Sequence, residues 1–137
     1  MSPSHVERIE IDGRLCAVLI PGSYRPPETT FHTDPDSSFQ LGQIIYPAGG
    51  EVAPHRHLPL ERHLIGTSEA IVVQAGSCEL ALYDESDVEV EIRTLVAGDV
   101  VVLLDGGHAF RMHEDTVLLE VKQGPYTGED EKKRFEP

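Results

Sequence analysis

Ala70-Ile71-Val72-Val73-Gln74-Ala75-Gly76-Ser77-Cys78-Glu79-Leu80-Ala81-Leu82-Tyr83 is the stretch that decides the fold. Two short apolar runs, the first rich in β-branched residues, flank one glycine, which reads as strand, turn, strand. Side chains two apart share a face of a strand, so Cys78 points the same way as Leu80 and Leu82. It reads as a small apolar filler of an interior and not as a ligand or nucleophile.

Working outward, the same grammar repeats. The acidic turn Asp84-Glu85-Ser86-Asp87 leads into Val88, Val90 and Ile92, which alternate with Glu89, Glu91 and Arg93. That alternation predicts a strand with its valines and isoleucine buried. Gly98-Asp99 turns into the apolar run Val100 to Leu104, short enough to be a buried strand. After Gly106-Gly107, the residues His108, Phe110 and Met112 share one face, and Val117 to Val121 is the final strand. Upstream, Val6 to Ile11 and Leu15 to Ile20 are joined by Asp12-Gly13, a strong signal for a short hairpin. Ser23 to Ser38, rich in Pro, Thr, Asp and Ser, reads as a loop or arm, with His32 an exposed loop histidine. Phe39 to Tyr46 reads as a strand with both faces partly apolar, and places Gln43 as a candidate inward residue that orients a ligand.

No helical apolar stripe of useful length occurs. Many short strands with Gly or Pro turns predict an all-β sandwich or barrel. The expectation is one domain over residues 1–137: an N-terminal hairpin (1–22), a loop or arm (23–38), a barrel core (39–123) and a polar tail (124–137). Tyr126 and Phe135 are candidate anchors of the tail.

The charge narrows the partners. With 11 Lys+Arg against 24 Asp+Glu the formal net charge is −13, a surface that repels nucleic acid and anionic membrane and helps draw in a cation. Cys16 and Cys78 form no CxxC motif, which predicts free thiols in a reducing compartment. The N-terminus has no apolar signal core and no window reaches the length of a membrane span, so a soluble cytoplasmic protein is expected.

The chemistry sits in Gly49-Gly50-Glu51-Val52-Ala53-Pro54-His55-Arg56-His57. Two histidines one residue apart on an extended segment project two imidazoles to one face. Glu69 and His108, on later strand-like segments, complete a set of three histidines and one carboxylate. Neutral nitrogens with one anionic oxygen suit a divalent first-row metal, and Fe, Mn, Ni, Zn and Co all accept such donors. Glu61 is a rival carboxylate. Glu69 is preferred because it is in phase with Ile71 and Val73 as inward residues, which leaves Glu61-Arg62-His63 as an inserted loop.

These residues carry a family resemblance. Gly49-x5-His55-x-His57 followed by Glu69-x6-Gly76 is similar to the first cupin motif, G-x5-H-x-H-x3-4-E-x6-G. Gly98-x5-Leu104-x-Gly106-x-His108 is similar to the second, G-x5-P-x-G-x2-H-x3-N. The chain departs from the pattern in the 11 residues between His57 and Glu69, in Leu104 for the proline, in one residue fewer before His108, and in Met112 for the asparagine. The resemblance implies a single-domain cupin, a double-stranded β-helix or jelly-roll barrel, with His55, His57, Glu69 and His108 as metal ligands. Gly106 to Met112 and Leu119 to Tyr126 also resemble the small WbuC-like cupin metalloproteins, which implies a sugar or sugar-nucleotide context in cell-surface polysaccharide biosynthesis. Glu120 and Lys122 read as a surface ion pair.

Two functions follow as expectations. One is a metal-dependent isomerase, epimerase or dioxygenase acting on a small polar, sugar-like substrate, with Glu61, His63 and Tyr126 as candidate proton-moving groups. The other is a binding or sensing module without turnover. A purely structural metal is a weaker third reading. Cupin domains of this size commonly pair, so a homodimer is expected.

Overall fold

The computed structural model describes residues 5–137, apart from the side chains of Glu129 and Asp130. The first four residues of the expected N-terminal hairpin segment lie outside the described residues. The architecture is all-β, with ten strands and one short 3-10 helix among the described residues. No helix among these residues is long and apolar enough to cross a membrane.

Two compact units are present, Met1–Tyr24 with Thr67–Pro137, and Arg25–Gly66. The first contains the strands β1 (Glu7–Ile11), β2 (Arg14–Ile20), β5 (Glu69–Ala75), β6 (Ser77–Tyr83), β7 (Glu89–Val96), β8 (Val100–Leu103), β9 (Gly107–Met112) and β10 (Val117–Lys122). They form an antiparallel five-stranded sheet, ordered β1-β2-β8-β5-β10, and an antiparallel three-stranded sheet, ordered β7-β6-β9. Residues from both sheets meet in one apolar cluster: Leu19, Ile71, Val73 and Val101 from the first, and Cys78, Leu80, Leu82 and Leu95 from the second. The unit is a sandwich of two sheets, as the strand grammar predicts, and Cys78 fills its interior beside Leu80 and Leu82. Cys16 and Cys78 are free, buried thiols.

Local chemistry explains the turns. Asp12 and Gly13 both have positive φ (55° and 75°), the backbone that a two-residue hairpin turn needs and that Asp-Gly supplies at little cost. Gly76 turns β5 into β6 with φ 87°, and a Cβ there would collide with the Asp115 carbonyl. Asp99 ties the β7–β8 turn to the end of β2. Its Oδ2 accepts the Val96 N–H at 2.9 Å and its Oδ1 accepts the Gly22 N–H at 2.9 Å, with the residue only 3% exposed.

One face assignment reverses. Val88, Val90 and Ile92 are exposed, and Leu95, in phase with Glu91 and Arg93, lies in the core. Arg93 is therefore on the inward parity, where its guanidinium binds both carboxylate oxygens of Glu7 at 3.0–3.1 Å and one of Glu91 at 2.8 Å. Those hydrogen bonds raise the Arg93 pKa further and make an inward cation tolerable at the sandwich rim.

The second unit holds β3 (Thr30–Phe31) paired with β4 (Gly42–Gln43). The strand expected over Phe39 to Tyr46 shrinks to two residues, and its partner comes from the segment expected to be a loop. An alternation with both faces partly apolar specifies no register, so little strand forms. His32 is buried, not exposed, and its Nε2 lies 2.9 Å from Gln43 Oε1. Gln40 folds back onto the carbonyls of Asp34 and Ser37 and accepts from Thr33.

Replacing Asp99 with alanine is expected to lower the free energy of unfolding by about 2–4 kcal/mol, because two N–H groups lose their acceptors. Asp99→Asn keeps one acceptor oxygen and should lose roughly half as much. Urea melts of the three chains check this; an unmoved midpoint in Asp99→Ala contradicts it.

Candidate metal centre

Glu69 opens β5 on the face that Ile71 and Val73 turn to the core. The ladder sets it opposite Leu103 of β8 on one side and Lys122 of β10 on the other. His108 stands in β9 of the other sheet, opposite Leu82, with Phe110 two residues on packing against the core. Both residues thus project from inward-facing positions, one from each sheet. Their side chains meet, with His108 Nε2 3.4 Å from Glu69 Oε1 and side-chain exposures of 31% and 14%.

The surroundings shift both groups. Burial, then a hydrogen bond and the charge of Glu120, raise the Glu69 pKa to about 7. Burial also lowers the pKa of His108 and favours its neutral imidazole. Glu120 is lowered, chiefly by its hydrogen bond to Glu69. Lys122 does not pair with Glu120 as a surface ion pair; its Nζ binds Glu131 Oε1 at 2.9 Å. Thr127 donates to the other oxygen of Glu131. The tail is further anchored by Phe135, which meets the Tyr83 ring edge-on at 5.1 Å and closes over Gly107, next to His108.

His55 and His57 belong to the other unit. Their segment, between β4 and β5, forms no strand, yet the two rings stand 5.3 Å apart at 73°, and His55 Nδ1 lies 2.9 Å from the Ala53 carbonyl. That contact accounts for one ring nitrogen and leaves His55 Nε2 as a donor atom for a ligand. Glu61, His63 and Tyr126 are exposed and make no hydrogen bond or ion pair among the described residues. Gln43 has its amide oxygen engaged by His32.

Of the four expected ligands, Glu69 with His108 and His55 with His57 are found as neighbouring pairs. Among the described residues no group of three or more His, Cys, Asp and Glu residues is arranged to hold a metal ion. The donor chemistry of Glu69 and His108 fits a divalent cation: a neutral imidazole beside a carboxyl that burial leaves short of positive charge. Glu120 was missed from the sequence as a member of this cluster. Its inward parity with Leu118 was the available signal, obscured by the valines and leucine around it.

Comparison with protein-family models, curated proteins and solved structures gives no match.

The raised Glu69 has a pH signature. Between the ordinary carboxyl range and about pH 7 the folded chain binds more protons than the unfolded one, so stability falls as pH rises through that window. The lowered Glu120 acts in the opposite sense at lower pH, which leaves the falling limb in the upper part of the window. Glu69→Gln removes that limb and should make the metal-free chain more stable than its parent by about 1–3 kcal/mol at about pH 8. The lowered His108 is common to both chains and cancels in the difference. Denaturant melts of both chains across the window check this; parallel stability profiles contradict it.

Proposed function

We propose that the chain is a divalent-metal-binding protein of the cupin type, with His55, His57, Glu69 and His108 as ligands and a jelly-roll as its fold. One observation carries the reading. Glu69 and His108, from different sheets, meet 3.4 Å apart with the carboxylate side chain only 14% exposed. Burying a carboxyl beside an imidazole is unfavourable unless a proton, a hydrogen bond or a cation compensates, and a bound cation is the compensation that uses both groups as donors. The two motifs support the remaining ligands, and the net charge of −13 favours cation binding.

A metal bound there supplies Lewis acidity toward the oxygens of a small polar ligand. Glu69 and His108 would hold the ion and orient the ligand. A sugar-like substrate, isomerase, epimerase or dioxygenase chemistry and a place in polysaccharide metabolism rest on the motif resemblance. Pairing into a homodimer rests on it too, and a cytoplasmic location accords with two free thiols. Binding or sensing without turnover is the second reading. It is favoured by the exposure of Glu61, His63 and Tyr126, the candidate proton-moving groups.

Calorimetric titration with Mn, Fe, Ni and Zn tests the ligand set. One ion per chain is expected, with His55→Ala, His57→Ala, Glu69→Ala and His108→Ala each weakening it more than about 100-fold, beyond the loss of a supporting residue. Glu61→Ala should bind as the parent does. A parent chain that binds none of the four ions contradicts the reading.

A further inference from the structure

We infer that the C-terminal tail is a strap that closes the open side of the sandwich over the Glu69–His108 pair and must lift for a ligand to reach it. That the covered pair is a binding site rests on the metal-binding reading; the covering itself rests on topology. β9 and β10 follow one another in the chain yet lie in different sheets, each at an edge: the order β7-β6-β9 ends on β9, and β1-β2-β8-β5-β10 ends on β10. The turn after Met112 joins the two strands at one end. At the other end, marked by Gly107 and Lys122, no ladder joins them among the described residues. That is the end where His108 and Glu69 stand.

The tail crosses this gap with one anchor on each edge strand. On β10, Lys122 is the ladder partner of Glu69, and its Nζ holds Glu131 Oε1 at 2.9 Å. The other oxygen of Glu131 accepts the Thr127 hydroxyl at 3.0 Å. On β9, Phe135 meets the Tyr83 ring and lies over Gly107, the residue before His108. A Cβ at Gly107 would stand 3.0 Å from the Phe135 ring, so the missing side chain is what seats it. Only Lys132, Lys133 and Arg134 separate the two anchors. Four steps of extended chain reach at most about 14 Å, so the backbone has to run directly from one edge strand to the other. One ring and one ion pair hold the strap, contacts that open at small cost, as segments that admit ligands do.

Acylation of the histidines by diethyl pyrocarbonate, followed residue by residue on the full chain by mass spectrometry, tests the strap. Thermal midpoints serve as fold controls. His113, exposed in the turn between β9 and β10, is the internal reference. Phe135→Ala is expected to raise the rate at His108 relative to His113 by about 5–50-fold, and Glu131→Ala by about 2–5-fold. Phe135→Leu keeps part of the apolar cover and should fall between the parent and Phe135→Ala. A ratio in Phe135→Ala within about twofold of the parent overturns the inference, and leaves the metal reading standing if the parent binds manganese. Equal acceleration at His113 also overturns it, because the whole unit and not the strap would then have loosened. The expected ratios together with a parent that binds no manganese keep the strap and overturn the metal reading.

Discussion

Two antiparallel sheets press Leu19, Ile71, Val73 and Val101 against Cys78, Leu80, Leu82 and Leu95, and everything else in the first unit is positioned by that contact. Because strand side chains alternate, committing these residues to the interior also commits every second residue further along each strand. In β5 the same parity that buries Ile71 brings Glu69 inward. In β9 it turns His108 the same way as Phe110. The meeting of a carboxyl and an imidazole is thus a by-product of apolar register. Glu69 cannot leave its inward position without a slip of β5 that would expose Ile71 and Val73.

The rim carries charges that the interior alone would reject. Arg93 is tolerated because Glu7 and Glu91 surround it. Glu69 is different: Lys122 and Lys132 pull its pKa down, yet burial and Glu120 outweigh them and it rises. An ion network compensates one part of the rim; at Glu69 the carboxyl is instead held with a raised pKa beside His108.

Much of the fold was legible because its determinants are local. Asp12-Gly13 and Gly76 state their turns in one or two residues, and Ser77 to Tyr83 states its inward face by strict alternation. The face of β7 was misread because Val88, Val90 and Ile92 look buried until Glu7, far away in sequence, neutralises Arg93 on the opposite parity. His32 was misread as exposed for a similar reason, since Gln43, its hydrogen-bonding partner, lies on β4. The Glu69–His108 pair was legible from parity and motif spacing together. Glu120 was not, because a glutamate among valines and leucines in a terminal strand looks like a solvated edge unless the ladder register is known.

The measurement that bears most directly on the central claim is paramagnetic broadening by manganese, read residue by residue in an NMR spectrum of the labelled chain. At substoichiometric metal the account predicts that the ring signals of His55, His57 and His108 and the side-chain signals of Glu69 disappear first and together, while the acidic turn Asp84-Glu85-Ser86-Asp87 stays sharp. Broadening that begins at the acidic turn and spreads over the surface, leaving His108 and Glu69 until last, would contradict it. Manganese would then be following the net charge of −13 and not a built site.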